Sequence, residues 1–169
     1  MVLGLVLTAG ASASASRGLD CQLGSPHYNT GLCGISKKKA GEKCAEVAHV
    51  IGNPVIAGYV AGSTSSYRIK INEEDGLEGC DAAGLRTVSY FQEMRKGLSG
   101  VFVRSGKSTT RFTNRPFRVN ETQTIPYDCS VDGPGTAVRT VARFVWHPHK
   151  GWGGTTTPHD HVSKPSTIC

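Results

Sequence analysis

Six cysteines, at positions 21, 33, 44, 80, 129 and 169, constrain this 169-residue chain more than any other feature. All follow a leader, MVLGLVLTAGASASA, that is uncharged, apolar at its start and small-residued at its end. Ala13-Ser14-Ala15 fits the small-x-small pattern before a cleavage site, so residues 1–15 read as a secretory signal cut after Ala15. An even number of thiols in an exported chain reads as a disulfide framework, and six cysteines permit about fifteen pairings among which sequence does not choose. A bridge between Cys21 and Cys169 would close nearly the whole mature chain into one loop. No CxxC pair is present, which argues against a zinc ribbon or a thioredoxin-like site. No later stretch approaches the roughly 18–20 apolar residues that span a bilayer. The expected product is secreted, soluble and monomeric, without a cofactor.

Residues 16–169 are long enough for one compact domain with a modest core. The stretch from Gly18 to Ser36 is rich in Gly, Ser, Pro and Asn and reads as loop. Ser36 is a suitable N-cap, and Ala40, Cys44, Val47, Ala48 and Ile51 recur at helical spacing until Gly52-Asn53-Pro54. VIAGYVAG (55–62) and SYRIKI (66–71) read as strands. In LRTVSYFQEMRKGL, Leu85, Val88, Phe91, Met94 and Leu98 lie three or four apart, which predicts a second short helix over 85–98. GVFVRS, TTRFTN, FRVNETQTI and AVRTVARFVW follow as β-rich segments, and the tail from His147 reads as irregular. The expected fold class is α+β: one helix packed on a curved antiparallel β-sheet, an inserted second short helix, and disulfide staples.

Nineteen Lys and Arg against thirteen Asp and Glu give a net charge of +6, concentrated in SKKKAGEK, in MRKG with Arg104 and Lys107, and in RFTNRPFR. Clustered cations suit a polyanion such as RNA, with Lys37, Lys38, Lys39, Arg111 and Arg115 as phosphate contacts and Trp152 as a stacking platform. Asn120-Glu121-Thr122 is an N-glycosylation sequon. SGKST (105–109) is not a phosphate loop, because the motif's first Gly would fall at position 101, where Val stands, and Gly100 lies one step too far back. His147, His149, His159 and His161 form two His-x-His pairs. Imidazole suits zinc or copper, but exposed loop histidines are the simpler reading, and no metal is assigned.

A Ser-Tyr-x-x-x-x-Asn-x-x-x-Gly frame, here Ser66, Tyr67, Asn72 and Gly76, resembles the fungal guanyl-specific ribonucleases and the related ribotoxins, which carry Tyr-Pro-His at the head of this strand. GSPHYNTGLCGIS (24–36) is similar to the lead-in to that family's helix, and GPGTAVRTVARFV to its Pro-Gly-x-x-Arg-Val strand. The similarity covers both ends of the mature chain and leaves a longer, unmatched middle from about Glu78 to Arg118. The resemblance implies RNA cleavage by attack of the ribose 2′-hydroxyl on the adjacent phosphate, using a general base, a general acid and a cation at the phosphorane. It assigns Tyr67 to the family's tyrosine, Glu121 to the strand glutamate, Arg139 or Arg143 to the arginine, and His159 to the acid. Ile69 stands where the first His belongs, Arg68 replaces the proline before it, and Thr122-Gln123 replaces the aromatic-Pro pair after the glutamate. Loss of that His removes much of the roughly 10² to 10⁴ that a positioned acid-base group supplies.

The resemblance therefore points to a secreted fungal effector with a ribonuclease-like fold and an impaired site, binding RNA or a host target and able to act inside host cells. Two other readings remain: an active secreted ribonuclease, and a killer-toxin-like, disulfide-rich effector acting on a host protein or channel.

Overall fold

The computed structural model describes residues 18–28, 30–49, 55–61, 64–72, 79–113 and 117–169; of 55–61, 64–67 and 72 it describes the backbone alone. The signal assigned to residues 1–15 and the cation Arg115 lie outside the described residues.

Ser36 begins the principal helix, α1 (Lys37–Val47), by accepting a hydrogen bond from the Lys39 backbone N–H. Its buried stripe is Ala40, Gly41, Cys44 and Ala45, small residues that let neighbouring backbone come close. Gly41 is the extreme case: a Cβ there would lie 2.3 Å from the Gly153 carbonyl oxygen, so the 149–155 loop seats directly on the helix. This contact explains a glycine in a helix interior, where it costs about 1 kcal/mol against alanine.

Two antiparallel sheets carry the rest of the described fold. The smaller has the order β1–β2–β6, from Val55–Ala61, Thr64–Asn72 and Arg118–Pro126. The larger is built on β3 (Gly84–Arg95) and β7 (Ala137–Pro148), paired along their whole length. β4 (Val103–Arg104) and β5 (Thr109–Thr113) pair with β3, while β8 (His159–Val162) and β9 (Ser166–Thr167) pair with β7. A single turn of helix, α2 (Cys129–Asp132), is capped by Asp128 between β6 and β7.

The α+β class, with one main helix, a second short helix and a disulfide framework, is as the sequence predicts, but the second helix is α2. The segment 85–98 read as helix is β3, with a turn after it. Thr87, Val88, Tyr90 and Phe91 are β-branched or aromatic residues that fit a pleated surface better than a helix. Their three-and-four spacing arose because β3 is apolar on both faces, with Phe91 nearly as buried as Val88. The tail also differs, since β8 and β9 add strands to a segment read as irregular.

Alternation sorts the long strands into two faces. Arg86, Val88, Tyr90, Gln92 and Met94 on β3 stand opposite Trp146, Phe144, Ala142, Thr140 and Val138 on β7, and this inner face is buried from end to end. One end, at Trp146, packs under α1 with Ala83 and Cys80. The middle meets Ile69, Ile71, Phe117 and Val119, and the far end meets Ile125 and Tyr127. Each large apolar side chain buried this way contributes roughly 1.5–3 kcal/mol. Two buried polar side chains on this face reach partners: Gln92 Nε2 donates to Thr140 Oγ1 at 3.1 Å, and Arg86 Nη1 donates to the Ala48 carbonyl at the end of α1 at 3.2 Å.

All six cysteines are paired, as Cys21–Cys33, Cys44–Cys80 and Cys129–Cys169. Each bridge joins neighbours in the cysteine order, so no bridge runs from Cys21 to Cys169. The central bridge ties α1 to the segment entering β3 within the core.

Candidate functional site

The residues singled out by the ribonuclease resemblance divide among three places. In the smaller sheet Ile69 pairs directly across from Glu121, and Tyr67 across from Gln123. A histidine at position 69 would therefore adjoin Glu121. Ile69 is instead fully buried against Val88, Tyr90 and Phe144, where it takes part in packing and cannot exchange a proton.

The Glu121 carboxylate is held on both sides. Oε2 accepts from the Tyr90 hydroxyl at 2.9 Å and Oε1 from Gln123 Nε2 at 3.0 Å. Burial, followed by the hydrogen bond and charge of Glu121, pushes the Tyr90 phenol above its ordinary range. Tyr90 is the member of this cluster that sequence reasoning missed. Reading 85–98 as a helix hid the strand alternation that aims Tyr90 inward.

Both arginines lie on the other face of the larger sheet. Arg139 and Arg143 alternate with the buried Val138, Thr140, Ala142 and Phe144, so they project outward while Tyr90 and Glu121 lie inward. Arg139 Nε and Nη2 each lie 2.8 Å from Glu93 Oε2. Arg143 forms a two-pronged pair with Asp160, both bonds at 2.7 Å, which holds that carboxyl below the usual range. His159 occupies a third place, on the inner side of β8, with its ring 4.9 Å from His49 and 4.8 Å from His161. The structure brings Glu121 and the Ile69 position together; it does not bring the arginines or His159 to them.

The outer face of the larger sheet has a different chemistry. Arg104 lies over the Phe91 ring at 4.0 Å, and Phe102 has Arg139 at 4.1 Å and Arg95 at 5.3 Å. Arg95 is further held by Nη2 donating to the Gly135 carbonyl at 3.1 Å. Phe112, opposite Thr87 on β5, is 68% exposed. Four arginines (95, 104, 139 and 143) against Glu93 and Asp160 leave this face positive, with aromatic rings among the cations. Cation–π contacts of this kind are worth about 0.5–1 kcal/mol at exposed sites and orient the guanidinium groups.

The other proposed RNA contacts are scattered. Lys37, Lys38 and Lys39 are exposed on the first turn of α1, which covers the inner side of the larger sheet. Arg111 is exposed and pairs with the inward-facing Val88. Trp152 is half-buried against the α1 cluster. Asn120 is exposed on β6. Ser105 and Gly106 of the SGKST segment donate to the Gln92 carbonyl, as turn backbone beside a strand rather than as a phosphate cradle.

The two His-x-His pairs do not face each other. His147 points outward to the Thr87 hydroxyl at 3.0 Å, whereas His159 and His161 point inward. Among the described residues, no three His, Cys, Asp or Glu side chains form a group able to hold a metal ion. A cleft of about 450 Å³ beside His49 is lined by Glu42, Ala45, Glu46, Gly154 and Thr155. No helix among the described residues is long and apolar enough to cross a membrane. No protein-family model matches the chain, and neither the curated proteins nor the solved structures contain a significant match to it.

Proposed function

We propose that this chain is an exported, disulfide-stapled protein that binds single-stranded RNA without cleaving it and acts by occupancy. One observation carries the reading: Arg95, Arg104 and Arg139 lie over the rings of Phe91 and Phe102 on the outer face of the larger sheet. Guanidinium groups hydrogen-bond phosphate oxygens at their edges and stack unpaired bases on their planes. A guanidinium already stacked on a ring is held ready for both. The exposed Phe112 adds an aromatic surface of its own.

Absence of cleavage follows from the separation of the groups that the reaction needs. Transesterification requires base, acid and cation around one phosphate. Here Ile69 fills the base position beside Glu121, while Arg139 and Arg143 are paired to carboxylates on the opposite face. Export is supported by the complete pairing of six cysteines, which suits an oxidising compartment.

The test is fluorescence anisotropy with a short labelled oligoribonucleotide. Phe112→Ser should weaken binding by about 1–3 kcal/mol, the usual value of one base–aromatic stack. The triple variant Lys37→Gln, Lys38→Gln, Lys39→Gln, altered on the far side of the sheet, should bind like the parent. Loss confined to the lysine variant, or no binding by the parent at low salt, would overturn the assignment.

A further inference from the structure

β8 is a four-residue strand at the edge of the larger sheet, and its residues face two ways. His159 and His161, opposite Phe144 and Ala142, face inward, while Asp160 faces outward and grips Arg143. The His161 ring stands edge-on to Phe144 at 5.7 Å. Its Nε2 lies 2.7 Å from the His49 carbonyl oxygen, so that nitrogen carries the proton and donates. His49, just beyond α1, stacks on His159 and has a buried Nδ1 with no hydrogen-bond partner. Three of the six histidines thus form one contact joining β8 to the end of α1.

Every packed element contributes charge to this contact. From β3, the buried Arg86 holds the Ala48 carbonyl and lies 5.5 Å from the Phe144 ring. Glu42 and Glu46 of α1 line the cleft beside His49. Asp160 and Arg143 lie on the opposite face, across the strand. Burial first, then His159, His161 and Arg86, pulls His49 below the ordinary imidazole range. Burial also lowers His161, against the His49 carbonyl that accepts its proton.

We propose that β8 is an acid-released latch, whose detachment from α1 and β7 frees Arg143 from Asp160 and adds a phosphate-binding cation to the outer face. The gain in RNA affinity rests on the function proposed above; the release of the strand does not. The sign follows from the two lowered histidines. Released, they protonate more readily than when docked, so docking is complete above the free imidazole value of about 6.5 and weakens below it. Each histidine kept neutral by docking makes opening up to tenfold more favourable per pH unit below that value.

The test is native-state hydrogen exchange on the full oxidised protein between pH 7.5 and 5.5, read as protection factors. Amides of β8 and Ser163 should lose about tenfold or more of their protection, while those of β2 and β6 hold theirs. The double variant His49→Gln, His161→Gln should flatten the dependence; the single variant His161→Gln, which should reduce it, serves if the double variant does not fold. Constant β8 protection, or an equal loss in the variants, overturns the latch. So does protection that rises at pH 7.5 with zinc chloride and needs His49, which would make the contact a metal clamp. An acid-induced rise in RNA affinity that disappears in Arg143→Gln completes the proposal. If β8 opens but Arg143→Gln binds RNA as the parent does at both pH values, the latch stands and the RNA reading of this face falls.

Discussion

Replacing Arg95, Arg104 and Arg139 together with glutamine removes the cations stacked on Phe91 and Phe102 and leaves Arg143 as the remaining arginine of the outer face. On single strands, each phosphate neutralised contributes about −0.7 to the slope of log K against log salt; with Arg143 held by Asp160 near neutral pH, three contacts give about −2.1 in the parent and none in the variant. Between about 50 and 200 mM salt the parent should then lose roughly twentyfold in affinity, while any residual binding by the triple variant should be nearly independent of salt. Folding should suffer little. Each stack is worth about 0.5–1 kcal/mol, and Glu93, left without Arg139, keeps access to water, its side chain being 18% exposed. Anisotropy titrations at four salt concentrations measure the slopes, with Tm recorded for each variant. A triple variant that folds and keeps the parent's slope would refute the reasoning, because the phosphate contacts would then lie elsewhere.

Three further outcomes test the fold and the Glu121 cluster. Changing Cys44 and Cys80 to alanine opens a bridge of sequence separation 36; loop entropy puts the loss at about 4 kcal/mol, or roughly 8–16 °C in Tm for a chain of this size, measured by calorimetry. Gly41→Ala should destabilise by about 1–3 kcal/mol, the usual cost of overpacking, although alanine is the better helix former, since the new Cβ would lie 2.3 Å from the Gly153 carbonyl oxygen; a stabilised variant in urea denaturation would contradict the seating of that loop. The Tyr90 phenol is raised by burial and by Glu121, so its contribution to stability is complete below about pH 10 and is lost as pH rises through the folded value; Glu121→Gln should move this loss to lower pH in ultraviolet titration, and no movement would remove Glu121 from contact with Tyr90.

What the sequence disclosed depended on whether polarity followed burial. α1 was legible because Ser36 and the spacing of Ala40, Cys44 and Val47 agree with one another, although the helix ends at Val47, short of the run read to Ile51, and Ile51 and the Gly-Asn-Pro stop lie outside the described residues. β7 was legible because it is rich in Val and aromatic residues. β3 was not, since its inner face includes Arg86 and Gln92, both fully buried through partners far away in sequence, and its outer face hides Phe91 beneath Arg104. Hydrophobic spacing cannot register a buried arginine or a phenylalanine covered by a cation. β8 escaped notice for a related reason, being His-Asp-His-Val with no apolar alternation.

The candidate site divides in the same way. That Arg139 and Arg143 share a face follows from their spacing once β7 is a strand, yet the face they share depends on which side the smaller sheet and α1 cover. The pairing of Ile69 with Glu121 is a matter of register between strands about 50 residues apart, and strand register over that distance is set by packing rather than by local pattern. The disulfides were countable in the sequence and their connectivity was not.

The function proposed for the chain is RNA binding that leaves the strand intact. The most direct measurement incubates the mature, oxidised protein with a guanine-containing oligoribonucleotide, follows complex formation at low and moderate salt, and resolves the RNA by length afterwards, with a chelator control. A salt-sensitive complex that returns full-length RNA is the predicted result. Cleavage products whose yield falls with Glu121→Gln or His159→Ala would contradict the account, because groups that lie apart in this structure would then be acting on one phosphate.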